Sequence, residues 1–216
     1  MRAETPQPAR VDFRLYLITD RTRTHGRPLT AALQAAAHAG VQAVQVREKA
    51  LAPREQYALV EEIRGALAPL GVRVLINERA DIACAAKLAG VHLTATGLSP
   101  AAARCCLPDE ALVGVSTHTL AEARFAAEFG ADFVTFGPVF FTPSKAGYGA
   151  PRGLEALHDV CAAVSLPVFA LGGVTPQRVH ACLDAGAHGV AAISALLDVP
   201  SIPDAVAAFA EALGGL

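Results

Sequence analysis

The chain has no CxxC pair, no apolar run approaching the thickness of a bilayer, no cluster of lysine and arginine, and no internal break in composition. Each absence removes a class of protein. Five cysteines (Cys84, Cys105, Cys106, Cys161, Cys182) fall in alanine-rich segments without metal-ligand spacing, so neither a zinc site nor a disulfide framework is expected and the protein reads as reduced and cytoplasmic. The N-terminus, MRAETPQPAR, carries two prolines and no apolar h-region, so neither a signal peptide nor a membrane anchor is expected. A formal charge of −2 with dispersed basic residues gives no electrostatic footprint for nucleic acid.

What remains is a chain of 216 residues, 53% apolar, able to bury one large core. Residues 1–13 are expected to be a flexible N-terminal segment and 14–216 a single domain. Short β-branched runs at 14–20, 41–48, 72–78, 90–93, 112–117, 133–139, 167–173 and 189–195 alternate with amphipathic segments near 29–39, 53–69, 80–88, 99–106, 119–129, 153–164, 175–185 and 203–213. Ser99-Pro100, Thr175-Pro176 and Ser201 to Pro203 supply capping oxygens beside early-turn prolines. Gly40, Gly71, Gly90, Gly130 and Gly186 follow helical runs as left-handed caps would. Eight βα units with continuous apolar strands predict an α/β protein, a single-domain (β/α)8 TIM barrel. The rival doubly wound sheet would carry a glycine fingerprint in its first turn, and LITDRTRTHG has none. An apolar helix at 29–39 or 203–213 could provide the face of a homodimer.

In such a barrel the site lies at the C-terminal ends of the strands. ALGGVTP joins the paired glycines Gly172 and Gly173 to a helix start, and AAISAL adds Ile193 and Ser194, so backbone N–H groups and a helix dipole point to a phosphate cradle. Alternation along the second strand aims Gln45, Arg47 and Lys49 in one direction; with Lys145 they suit a second phosphate or a diphosphate. The competing reading pairs Arg47, Glu48 and Lys49 with one another in solvent. His118 is a candidate acid or base, or a rim residue beside a cap at Thr117 or Thr119. His92 could face the interior or pack outward, and the other five histidines show no ligand spacing.

LYLITDR, VQVREKAL, INERADIA, GVSTHTLAEA, GADFVTFGPVFFTPSK, PVFALGGVTP and AGAHGVAAISAL, in that order from about residue 14 to about 198, resemble the motifs of the thiamine phosphate synthase family, whose superfamily includes TenI-type thiazole tautomerases. The resemblance implies phosphorylated small-molecule substrates: an aminopyrimidine diphosphate that loses pyrophosphate to a methyl cation, and a thiazole phosphate whose nitrogen captures it. It implies that Gln45, Arg47, Lys49, Asn77 and Lys145 hold the pyrimidine diphosphate and that Ser116 lies near the pyrimidine. Thr142 and Ser144 would contact the thiazole, with Gly173, Ile193 and Ser194 on its phosphate. Ser116, Lys145 and, for a tautomerase, His118 would be catalytic.

The family holds Mg²⁺ with two aspartates. Here the first position is Glu78 and the second, at the end of GVHLTATG, is Gly97. The missing carboxylate leaves three readings: a synthase with Mg²⁺ on Glu78, a tautomerase needing no cofactor, or a non-catalytic binder of a phosphorylated thiazole or thiamine. Mg²⁺ often takes only one or two protein carboxylates beside substrate phosphates, and the retained Gln45, Arg47 and Lys49 favour the synthase.

Overall fold

The computed structural model describes residues 10–142 and 150–216. Eight parallel strands close into one barrel in sequence order, the last pairing with the first. They are β1 (Leu15–Ile18), β2 (Ala43–Val46), β3 (Arg73–Asn77), β4 (Gly90–Thr94), β5 (Leu112–Thr117), β6 (Phe133–Phe136), β7 (Val168–Leu171) and β8 (Gly189–Ala192). The helices are α1 (Leu29–His38), α2 (Pro53–Leu67), α3 (Ala80–Ala85), α4 (Pro100–Arg104), α5 (Leu120–Glu128), α6 (Gly153–Ala163), α7 (Pro176–Asp184), α8 (Ser194–Leu197) and α9 (Ile202–Leu213).

Period-two alternation divides the core in two. Outward residues such as Leu17, Val44, Ile76, Val91 and Val134 pack under the helices. Inward residues such as Tyr16, Leu75, Leu112, Phe133 and Phe169 fill the barrel. There Phe13 stacks on Phe169 at 5.2 Å between centroids and meets Phe133 edge-on at 5.7 Å, geometries that aromatic quadrupoles favour. These rings make a solid floor, so the barrel is a packed body with a mouth and not a pore.

Several expectations need correction. The domain boundary at 13/14 falls inside packed chain: Val11 and Phe13 are buried because Phe13 plugs the floor. Strand eight ends at Ala192, and Ser194 begins the short helix α8. Ser99, Thr119 and Ser201 cap their helices through side-chain oxygens, but Thr175 takes the cap position without that bond. Thr119, not Thr117, is therefore the cap beside His118. The apolar faces of α1 and α9 are buried within the protomer, leaving exposed large apolar side chains elsewhere, at Leu98, Phe125, Phe129 and Phe141.

Gly40, Gly71, Gly130 and Gly186 adopt positive φ as left-handed caps, but Gly90 does not; Lys87, at φ 49°, takes that role after α3. Gly90 is required for a different reason. A Cβ there would lie 2.0 Å from the Leu112 carbonyl oxygen, where β4 and β5 press together. Gly90→Ala is expected to lower unfolding free energy by at least about 3 kcal/mol, measured by urea denaturation, because the clash is with backbone that cannot rotate away.

Candidate active site

Above the aromatic floor the inward positions turn polar. Gln45 from β2, His92 from β4, Ser116 from β5 and Thr135 from β6 occupy them, with Asn77 beside His92 in register. Gln45 is 2% exposed, and its Nε2 has no hydrogen-bond partner among the described residues. A buried amide donor without an acceptor costs on the order of 1–3 kcal/mol, the signature of a group that meets a ligand. His92 points inward and is fully buried. Its Nε2 lies 3.0 Å from Ser116 Oγ and its Nδ1 3.4 Å from the Tyr16 hydroxyl. Burial first, and the positive charge of Arg47 second, push its pKa down to about 3, so the ring is neutral.

At the ends of β2 and β3 a cavity of about 290 Å³ is lined by Glu48, Lys49, Gln56, Asn77, Glu78 and Arg79 among others. Glu48 does not neutralise its neighbours. Its carboxylate accepts the Thr19 hydroxyl at 2.6 Å and the Arg21 backbone N–H at 3.1 Å, tying the loops after β1 and β2 together. Neither Arg47 nor Lys49 has an ion-pair partner within 4 Å among the described residues. The mutual-pairing reading of 47, 48 and 49 therefore fails.

Glu78 occupies the left-handed region at φ 61°, a strained choice for a non-glycine residue that the surroundings must hold. Thr94 Oγ1 donates to its Oε1 at 2.7 Å and Asn77 Nδ2 to its Oε2 at 3.2 Å. Position 97 is next to it: a Cβ on Gly97 would lie 3.0 Å from Glu78 Oε1. The position reached by counting along GVHLTATG therefore lies beside the Glu78 carboxylate. Among the described residues no group of three histidine, cysteine or acidic side chains converges, so the protein offers one carboxylate here.

On another side of the mouth a cavity of about 230 Å³ lies between the ends of β7 and β8, lined by Thr142, Gly172, Gly173, Ile193, Ser194 and Arg178 among others. Gly172 and Gly173 have φ of 95° and 65°, and a Cβ at Gly173 would be 2.5 Å from the Phe141 carbonyl oxygen. Only glycine allows this close turn. Arg178 Nη1 donates to the Gly173 carbonyl at 2.6 Å, and its guanidinium lies 4.7 Å from the centre of the Phe140 ring.

The structure therefore gathers Lys49, Asn77 and Glu78 in one cavity and Thr142, Gly172, Gly173, Ile193 and Ser194 in another, with Gln45 and Ser116 inside the barrel. Ser144 and Lys145 lie outside the described residues. His118 lines neither cavity. Its Nδ1–H donates to the Gly137 carbonyl at 2.5 Å, which leaves Nε2 as the other ring position. Sequence reasoning did not single out Arg178, Tyr16 or Thr94 and left open which way His92 faces. Arg178 had a signal: a cation in the first turn of a helix opposes the dipole and needs a local reason.

The thiamine monophosphate synthase family model matches residues 15–196. A Geobacter sulfurreducens protein named "Putative thiamine-phosphate synthase" is 47% identical over 89% of this chain and 90% of its own length. The thiamine-phosphate synthase of Syntrophomonas wolfei is 39% identical over 88% of this chain and 91% of its own. The solved thiamine phosphate pyrophosphorylase of Pyrococcus furiosus superposes with a TM-score of 0.85 at 28% identity, covering 95% of this chain and 97% of that one.

Because His92 is neutral when folded, the unfolded chain binds a proton that the folded chain refuses between pH 6.5 and about 3. Stability is full above that window and falls on acidification, by about 1.4 kcal/mol per pH unit for this one group. His188, depressed by its own burial, adds to the slope. Urea titrations between pH 7 and 5 should show the loss, and His92→Gln should reduce the slope by one proton; an unchanged slope would contradict a neutral His92.

Proposed function

The chain belongs to the thiamine monophosphate synthase family, and from that premise we propose that it is a transferase joining an aminopyrimidine diphosphate to a thiazole phosphate, releasing pyrophosphate. The observation that carries this reading is the pair of separate anion-sized cavities at one end of the barrel, with a Gln45 Nε2 inside it that has no partner within 3.5 Å among the described residues. Two anionic substrates need two cradles and a shared centre.

Gln45 and Ser116 hold the pyrimidine ring over the aromatic floor. Arg47, Lys49, Asn77 and Lys145 hold its diphosphate, and the two strand-two cations keep their charge for this purpose because Glu48 is bound elsewhere. The bond from the pyrimidine methylene to the diphosphate oxygen breaks, its electron pair leaving with pyrophosphate. Positive charge then develops on the methylene carbon, and fixed cations at the departing oxygens stabilise the charge separation. The thiazole phosphate sits with its phosphate against Gly172, Gly173, Ile193 and Ser194, and with Thr142 and Ser144 beside the ring. Its ring nitrogen forms the new bond to the methylene carbon. Arg178 faces this second cavity and adds a cation to a cradle otherwise made of backbone and hydroxyl groups.

Glu78, a hard oxygen donor whose carboxylate is oriented by Thr94 and Asn77, would hold Mg²⁺ together with the diphosphate of the substrate. When bound, the ion neutralises charge on the leaving pyrophosphate. No protein side chain is needed as proton acceptor in the coupling, so His118 has a rim role in this reading. The five unpaired cysteines suit the reducing cytoplasm that we assign to the reaction.

Mixing purified protein with both substrates should release pyrophosphate in a Mg²⁺-dependent manner; aromatisation of a non-aromatic thiazole tautomer in its place would overturn the reading, as would saturable binding with no turnover. Gly97→Asp would put a second carboxylate against Glu78. It should lower the Mg²⁺ concentration for half-maximal rate by roughly threefold or more, since ligand charge tunes such sites. An unchanged requirement would mean that position 97 lies away from the ion.

A further inference from the structure

The family roles do not explain the line of buried groups beneath Ser116. Tyr16, His92 and Thr135 are each no more than 1% exposed, and none of them lines either cavity. We propose that His92 is a positioning residue, held by Tyr16 as its Nε2–H tautomer, which makes the Ser116 hydroxyl a donor to an acceptor atom of the ring bound above it. This deepens the synthase reading and rests on it for the identity of that ring, an aminopyrimidine whose ring nitrogens are acceptors.

The assignment follows from counting donors. Burial keeps the Tyr16 phenol protonated by raising its pKa, with Gln45 partly opposing, so Tyr16 must donate its hydrogen. Its partners among the described residues are His92 Nδ1, at 3.4 Å, and the Gln45 side chain; Gln45 lowers the phenol pKa and so acts as a donor toward the oxygen, which leaves the phenol hydrogen for His92 Nδ1. A neutral imidazole that accepts at Nδ1 carries its proton on Nε2. That proton is directed at Ser116 Oγ, 3.0 Å away. Thr135 Oγ1 donates to the same oxygen at 3.4 Å.

Both lone pairs of Ser116 are then used by protein groups, and its own hydrogen is left for whatever enters the mouth. The opposite tautomer would direct Nδ1–H at the phenol and turn the serine hydrogen down onto Nε2, leaving nothing to offer a ligand. Steric confinement holds the ring in place. Phe133 packs against it at 5.5 Å between centroids, and a Cβ on Gly114 would come within 2.5 Å of its Nδ1. Gln45 Nε2 is a second donor in the same chamber, with no partner within 3.5 Å among the described residues. The chamber therefore favours a heteroaromatic ring that presents acceptor nitrogens, and disfavours a carbocycle of the same shape.

The test begins with free, ¹⁵N-labelled protein, in which two-bond ¹H–¹⁵N spectra report the protonated nitrogen of each histidine. The expected result at pH 7 is His92 with its proton on Nε2 and a bare Nδ1. An Nδ1–H form would overturn the proposal. Replacing His92 risks the fold, so the functional arm uses Tyr16→Phe, which keeps the ring and removes only the hydroxyl.

Tyr16→Phe should mix the tautomers in the spectrum and lower kcat/KM for the pyrimidine diphosphate roughly three- to tenfold, the effect of one hydrogen bond. KM for the thiazole phosphate should stay unchanged. In a Ser116→Ala background the same substitution should add little, because the path from Tyr16 runs through Ser116. Losses that simply multiply would overturn the proposal. If no variant, nor the parent protein, released pyrophosphate, the synthase reading would fail while the substrate-free spectrum still decided the state of His92.

Discussion

The interior of a closed eight-stranded barrel must be filled, and here four aromatic rings take the largest share of it. Phe13, Tyr16, Phe133 and Phe169 interlock near the N-terminal end, with ring centroids 5.2–6.1 Å apart. Every functional group depends on this floor. It removes water from the lower barrel, and so a polar side chain placed just above it must find a protein partner or a ligand. His92, Ser116 and Thr135 find one another; Gln45 Nε2 does not. The difference between a satisfied core polar group and a binding group is set by which donors that chamber leaves over.

A second constraint acts at the rim. Three charged residues in a row at the end of β2 could have neutralised each other at little cost in solvent. Instead Glu48 turns away to bind Thr19 and Arg21, and this buttress does two things at once. It fixes the loops after β1 and β2, and it keeps the charge of Arg47 and Lys49 uncancelled beside the mouth. Glu78 shows the same economy on β3. Its backbone strain is matched by two hydrogen bonds to its carboxylate, which hold that carboxylate toward the space beside Gly97.

The architecture was legible in the sequence because its signals are local: eight β-branched runs, helix starts at serine and threonine, and glycine corners. The two groups of residues that line the cavities at the strand ends were legible too, since strand ends are where this fold collects polar groups. Other features depended on distance in space. Gly90 resembles a helix cap in sequence, yet its small size answers to the backbone of Leu112 on the next strand. Whether His92 faced inward could not be decided from Val91 and Leu93 alone, because strands buried on both faces show no polar side. Phe13 looked like a flexible lead-in, since nothing in its neighbours announces the rings it joins from β1, β6 and β7. Arg178 breaks a helix rule, and the break is intelligible only with Phe140 and Gly173 in place beside it.

Gly114 carries an implication of its own. Its missing side chain is space shared by the His92 and Phe133 rings, whose nearest atoms would lie 2.5 and 2.4 Å from a Cβ there. The histidine on β4 and the bare position on β5 are two halves of one volume, contributed by neighbouring strands. A sequence that drifted to alanine at 114 would evict the ring, and one that lost the ring would open a hole of about that size. The two sites should therefore change together through descent, a coupling set by the room available and independent of the chemistry above it.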